Sequence, residues 1–405
     1  MLDRASVVPS AEHVTWRRLE AILAEACGVA DAQLSDGSAE VIGQMQGYTA
    51  RIVKAELTWR REDEKLPRRV VLKILSESNC EAISAEVEGI CEFMENVREK
   101  LKRAYNAECA FYNFARGRER HLQTPKLYYA EEIGADTRGL IVMEMLEGYA
   151  KNSWETADLS LVDELLPFLA SLHALTLRER DWLTDARLTS TVADENDTVA
   201  AVGLSSALDK LSKSKRWREH FGEELLQRLE TYARPESVTY AAKLHEELGM
   251  SAVMVHGDFR ASNVVATRDG EGVERLVAVL DWQLVHPGSV CEDLARFLCF
   301  SLSPESRKRH TKRILRAYYG ALEKEFAASK EKPPFCYEQV ERAYRKAFKF
   351  GAILAAACNP FTVRSPTVFS HCGDVEAAKK FLLENSKSLF EEMFAIDDGL
   401  TPWDE

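Results

Sequence analysis

Apolar positions recur at helical spacing over residues 11–27, with Val14, Leu19, Ile22 and Leu23 on one face, and the run stops at Gly28. This predicts an opening helix. From Glu40 to Trp59 the pattern shifts to short apolar runs, Val41-Ile42 and then Ile52-Val53 with Leu57, separated by Gly43 and Gly47. Strands around a glycine-bearing turn are expected there. Arg69 to Leu75 reads as another strand, apolar in its interior except for Lys73, and residues 81–116 carry a charge-rich helical pattern. Leu127-Tyr128-Tyr129 and Leu140 to Met143 read as the last strands of a small sheet. After Gly148 helical periodicity dominates: Leu159 to Leu177, where Pro167 predicts a break or kink, then helices over 204–250, 304–328, 337–358 and 374–394. Only Ala252 to Val255 and Leu276 to Leu280 have strand character in this half. No internal repeat or low-complexity segment interrupts the order of strands first, helices second.

Those two apolar runs flank the polar residues that carry chemistry. His256-Gly257-Asp258-Phe259-Arg260-Ala261-Ser262-Asn263 follows the first, and Asp281-Trp282-Gln283 the second. A carboxylate, an amide five residues later and a second carboxylate after a strand form the set that phosphoryl transfer uses in kinase-like folds. Asp258 orients a hydroxyl or accepts its proton, while Asn263 and Asp281 offer oxygen ligands to magnesium. Alone, Asp258 reads better as a turn-capping residue, and Asn263 and Asp281 can simply end a turn and cap the next segment; their joint spacing favours the functional reading. Lys73 is a lone ammonium in an apolar strand, which is costly to bury unpaired. It is expected to meet Glu108 and a nucleotide phosphate; the alternative is an edge-strand lysine that snorkels to water. Gly43 and Gly47 form a turn whose N–H groups can approach phosphate, or an ordinary hairpin turn.

A chain of 405 residues exceeds one compact core, so two lobes are expected. Hydrophobic content of 46% and charged content of 29% are those of a globular protein. The formal net charge of −12 disfavours nucleic acid and anionic membrane as partners. A nucleotide site must then supply positive charge locally, from lysine and magnesium. Nine cysteines, an odd number without a C-x-x-C pair, suggest free thiols rather than disulfides or zinc. The N-terminus lacks an apolar signal core, and Gly351 to Cys358 is too short to span a bilayer, so a cytoplasmic location is expected.

The motifs, in order, resemble the aminoglycoside phosphotransferase and choline kinase superfamily, and within it the ecdysteroid-kinase-like (CHK kinase-like) branch of nematodes and insects. They are Gly43-Gln44-Met45-Gln46-Gly47-Tyr48, Val71-Leu72-Lys73, Asn106 to Tyr112, Met143-Glu144-Met145-Leu146-Glu147-Gly148, the His256 to Asn263 loop, and Asp281-Trp282-Gln283 with Glu292-Asp293-Leu294-Ala295-Arg296. The resemblance implies a two-lobed, protein-kinase-like α+β fold. Its N-lobe, 1–148, is a small antiparallel sheet with helices; its C-lobe, 149–405, is mainly helical and holds the catalytic loop, metal site and acceptor pocket. ATP and Mg2+ are the implied cofactors, in a cleft between the lobes. Gly47, Tyr48 and Thr49 would cover the nucleotide, and main-chain groups of Glu144 and Met145 would meet the adenine edge. His256 would brace the loop, and Asp293 would hydrogen-bond back to it.

No A-P-E follows Asp281, and the stretch to Asp293 is too short for a peptide platform. The expected acceptor is therefore a small-molecule hydroxyl, on a steroid-like or other alcohol or an amino-alcohol. The absence of Walker A, G-x-S-x-G and H-E-x-x-H motifs removes the usual NTPase, serine hydrolase and zinc protease readings. A catalytically silent kinase-fold scaffold is the rival, although a scaffold does not require Lys73, Glu108, Asp258, Asn263 and Asp281 together. The aromatic residues Tyr318, Tyr319, Phe335, Tyr344, Phe348 and Phe350 should be mostly core, with a minority facing a lipophilic acceptor. The acidic end, Glu391 to Glu405, is expected as a solvated tail. The sequence leaves the oligomeric state open.

Overall fold

The computed structural model describes residues 2–11, 13–42, 50–75, 97–189, 197–233, 243–327, 329–364 and 368–404. Two compact units divide the chain, Met1–Glu147 and Gly148–Glu405. The turn bearing Gly43, Gly47 and Tyr48, and the first part of the helix expected over 81–116, lie outside the described residues.

The first unit contains α1 (Trp16–Cys27), β1 (Leu34–Ile42), β2 (Ala50–Trp59), β3 (Arg69–Leu75), α2 (Val97–Ala115), β4 (Leu127–Ile133) and β5 (Arg138–Glu144). The strands form one antiparallel sheet in the order β1-β2-β3-β5-β4. Helix α1 begins later than its apolar pattern, because the Thr15 hydroxyl accepts the Arg18 N–H and caps it there. Gly28 ends it in the left-handed region at φ +67°, donating its N–H back to the Ala24 and Glu25 carbonyls. Strand β1 starts well before the expected Glu40, through Leu-Ser-Asp-Gly-Ser-Ala, which has the composition of a turn. Tertiary packing overrides that propensity. Trp16 lies on Gly37, where a Cβ would stand 2.8 Å from the indole ring. Leu19, Leu23, Val53, Val70, Leu72 and Val142 complete the core beneath.

In the second unit α3 (Leu159–Arg178) passes through Pro167 as a single helix, so the expected break does not occur. Proline removes one N–H from the ladder and frees the carbonyl of Asp163. Both Asp163 and Pro167 are on the exposed face, where water can satisfy that carbonyl. By length and composition α3 could cross a membrane, but 61% of its apolar window is buried. Two small two-stranded sheets follow: β6 (Val253–Val255) pairs with β9 (His286–Gly288), and β7 (Val264–Arg268) with β8 (Glu274–Val279) as a hairpin. Between α3 and β6 lie shorter helices, among them Asp197–Ser212, Lys215–Phe221 and Glu223–Glu230, and after β9 come α4 (Glu292–Ser301), α5 (Pro304–Ala327), α6 (Tyr337–Thr362) and α7 (Val375–Asp397). Tyr318, Phe335, Tyr344 and Phe348 are buried, as expected of core, while Tyr319 and Phe350 are partly exposed.

The acidic end is not a free tail. Glu392 is buried 2.7 Å from the buried Arg307, and Trp403 Nε1 donates to Glu392 Oε2 at 3.2 Å. The Trp403 ring packs on Tyr344 and Phe348, and Asp398 pairs with Arg228 at 2.7 Å. An acidic composition suggested hydration, but the tryptophan and a matching interior arginine bind the segment down. Glu392→Ala leaves the Arg307 guanidinium buried without its carboxylate, so stability should fall by about 3–5 kcal/mol. Urea midpoints measure this. A loss within about 0.5 kcal/mol, as at ordinary surface positions, would refute the pairing as a structural anchor.

Candidate active site

Strand β6 ends at Val255 and β7 begins at Val264, so residues 256–263 form a loop between two short buried strands. Phe259 is fully buried and packs against Phe297 and Phe168, with ring centroids at 5.3 and 6.0 Å. Asp293, in the first turn of α4, accepts the His256 N–H at 2.7 Å and the Gly257 N–H at 3.0 Å. Gly257 has φ +79°, and a Cβ there would lie 2.2 Å from the Leu284 carbonyl oxygen. Only glycine meets both requirements. His256 Nε2 donates to the Leu280 carbonyl at 2.8 Å, and Nδ1 accepts the Asp258 N–H at 3.1 Å. These bonds select the neutral Nε2–H tautomer. Burial lowers the His256 pKa to about 4, against the pull of the Leu280 carbonyl, Asp258 and Asp281. The Trp282 ring lies 4.5 Å from the imidazole and is itself core, its Nε1 donating to the Val279 carbonyl.

Asp258 and Asn263 meet directly. Asn263 Nδ2 donates to the Asp258 carbonyl oxygen at 2.8 Å and to Asp258 Oδ2 at 3.1 Å. With its nitrogen committed, the amide presents Oδ1 as its remaining donor atom for a metal. In the β7–β8 pair Val264 stands opposite Val279, and the Leu280 N–H donates to the Asn263 carbonyl at 2.8 Å. The pairing therefore brings Asn263 and Asp281 to one end of the hairpin. Asp281 holds φ +67°, a left-handed conformation uncommon outside glycine, and accepts from Gln283 Nε2 at 3.2 Å. A carboxylate and an amide oxygen suit magnesium, which takes its other ligands from water and phosphate. Among the described residues no group of three or more His, Cys, Asp or Glu suggests a different metal.

In the first unit Lys73 is buried in β3, paired with Ile52 of β2 on one side and Ile141 of β5 on the other. Its Nζ lies 2.8 Å from Glu108 Oε1 and 2.6 Å from Oε2, and Tyr105 of the same helix donates to the Lys73 carbonyl at 2.7 Å. Glu144 ends β5, its N–H on the Lys126 carbonyl and its carboxylate accepting the Lys126 N–H; Met145 lies just beyond the sheet.

Two groups at the loop escaped the sequence reading. Arg260 Nε lies 3.3 Å from Asp258 Oδ2, and Arg296 Nε lies 3.4 Å from Asp258 Oδ1. The one available signal was that Arg260 follows the buried Phe259, and Arg296 stands three residues after Asp293 on the same helix. A third feature, the fully buried Glu274, was also missed. It accepts from Lys151 Nζ at 2.6 Å and Tyr149 Oη at 2.8 Å, which ties the start of the second unit to β8.

An antiparallel sheet with a lysine–glutamate pair, and a helical unit whose loop joins Asp258, Asn263 and Asp281 to a hairpin, are the two parts of a kinase-like fold. The choline kinase from Cryptosporidium parvum Iowa II has this fold, with a TM-score of 0.54 at 12% identity, covering 95% of this chain and 98% of that one. The chain belongs to the DUF1679 family, whose model carries the description "Uncharacterized oxidoreductase dhs-27" and matches residues 11–398. It is 29% identical over 235 residues to the Caenorhabditis elegans "Uncharacterized kinase-like protein D1044.1", covering 56% of this chain and 57% of that protein. It is 27% identical over 260 residues to the C. elegans "Uncharacterized oxidoreductase dhs-27", covering 60% of this chain and 30% of that protein. The match thus spans between about a third and three fifths of the length of these relatives. The nematode CHK-like resemblance read in the sequence is borne out.

His256 supplies a pH test. Its folded pKa of about 4 is below the unfolded value near 6.5, so its neutral form stabilises the fold above that range. That contribution is lost as pH falls from about 6.5 through about 4. His256→Gln should therefore flatten the acid limb of stability over that interval, by on the order of 3 kcal/mol relative to the parent. Parallel urea-stability curves for the two proteins would contradict the buried neutral imidazole.

Proposed function

We propose that this protein transfers the γ-phosphoryl group of ATP to a hydroxyl of a small molecule. The observation that carries the reading is the Asp258–Asn263 contact, held on a loop that Asp293 and His256 fix from behind. Asp258 orients the acceptor hydroxyl and takes its proton as the oxygen attacks the γ-phosphorus. The bond from that phosphorus to the β–γ bridging oxygen breaks, and ADP leaves. Asn263 Oδ1 and the Asp281 carboxylate would hold Mg2+, which neutralises phosphate charge when bound. Lys73, held by Glu108, meets the α- and β-phosphates. The main chain at Glu144 and Met145 is assigned to the adenine edge, and Gly43, Gly47 and Tyr48 to covering the nucleotide. Catalysis then consists of positioning and charge neutralisation.

Support comes from the choline kinase fold and from the kinase-like relative. The stretch after Asp281 runs through β9 directly into α4, which leaves little chain for a peptide platform and favours a small acceptor. A silent scaffold is the second reading, and the retained Lys73–Glu108 pair weighs against it.

Two measurements test the proposal. ATP with magnesium should raise the melting temperature, and EDTA should reverse the rise; a melting curve indifferent to nucleotide favours the scaffold. Asp258→Asn should lower turnover by about a hundredfold or more while ATP affinity changes little. Weakened nucleotide binding with turnover per bound ATP unchanged would remove Asp258 from its assigned role.

A further inference from the structure

Asp258 sits between guanidiniums. Arg260 approaches one carboxylate oxygen at 3.3 Å and Arg296 the other at 3.4 Å, while Arg296 Nη1 also donates to the Gly257 carbonyl. The Asp258 carboxylate is thus approached by two guanidiniums, of which Arg260 has further contacts of its own, and the charge of Asp281 is assigned to the metal. The arginines come from different elements, the loop itself and α4, so their convergence is a property of the fold. Their side chains retain 25% and 14% exposure, enough for a solute to reach. Among the described residues nothing accepts from Arg296 Nη2. The Phe300 ring lies 5.8 Å from the Arg296 guanidinium carbon on the same helix.

We infer that the acceptor is an alcohol bearing an oxyanion, a carboxylate or phosphate near the reacting hydroxyl, and that Arg296 and Arg260 bind that group. The inference rests on the phosphotransferase reading for what happens to the hydroxyl, but the charge preference is a property of the site itself. A guanidinium offers parallel N–H groups that match a carboxylate or phosphate. A cationic amino-alcohol would meet two like charges beside Asp258, and an uncharged alcohol would leave Arg296 Nη2 unmet. Arg296 and Arg260 are therefore specificity-determining residues.

The full-length chain with ATP and magnesium is assayed for ADP formation with glycerate, glycerol 3-phosphate, glycerol and choline, and binding of each is measured by calorimetric titration. Glycerate and glycerol 3-phosphate test the carboxylate and phosphate sources separately. At least one should exceed choline by about tenfold in kcat/KM and in affinity. Arg296→Gln should raise KM for the preferred acid by about tenfold, with kcat changed less than about threefold and the KM for ATP retained. Arg296→Lys, which keeps charge without the planar fork, should fall between, and a native melting curve shows that each variant folds. Choline binding as well as the acids, or no acid binding at all, overturns the inference. So does an Arg296→Gln variant that loses ATP affinity with its acceptor ranking intact, which would assign the arginine to the nucleotide. Titrations that rank the acids first while no acceptor yields ADP would uphold the charge preference and sink the transfer reading instead.

Discussion

Two hydrogen bonds into one buried carboxylate hold the 256–263 loop in place. Asp293 accepts the main-chain N–H groups of His256 and Gly257 from inside the protein. Burial raises its pKa to about 7, and those two bonds, which favour the ionised form, only partly offset it. The same helix carries Arg296, so the element that fixes the loop's position also sets the charge beside Asp258. His256 continues the connection, linking the loop to Leu280 and hence to the residue before Asp281. Asp258, Asn263 and Asp281 are thereby placed by main-chain contacts to a single buried support.

Buried charge is handled alike elsewhere in the chain. Lys73–Glu108, Arg307–Glu392 and Glu274 with Lys151 each place an ion in the interior against an opposite charge. His286 follows the same rule: burial opposes its protonation, yet the neighbouring Glu292 carboxylate, 3.0 Å away, keeps its pKa raised. His173 shows the other outcome. With the Tyr318 hydroxyl at 2.7 Å as its one hydrogen-bond partner among the described residues, burial lowers its pKa to about 3 and it remains a neutral core residue. An opposite charge at contact distance decides between the two.

Much of this was readable from residue order alone. The strand run around Lys73, the helices of the second half and the Asp258–Asn263–Asp281 spacing all have local signatures, and periodicity or motif exposes them. What escaped depended on contacts between residues distant in sequence. Nothing near Gly37 announces that Trp16 will lie on it, so the strand pattern was read only from Glu40 onward. Nothing near Glu392 announces Arg307, so the acidic end read as solvated. Arg260 and Arg296 stood within the quoted motifs but gained meaning only when loop and helix met at Asp258.

The left-handed backbone at Asp281 has a consequence for which sequences can occupy that position. Glutamate would preserve the charge but must accept a conformation that β-carbon sterics disfavour and that aspartate and asparagine tolerate better. Asparagine would fit the backbone and forfeit the charge. The usual ranking of conservative replacements is therefore split here into two independent demands, one conformational and one electrostatic. Aspartate tolerates the backbone and also carries the charge that the proposed metal role asks for, so the conformational demand alone narrows the choice before any ligand binds.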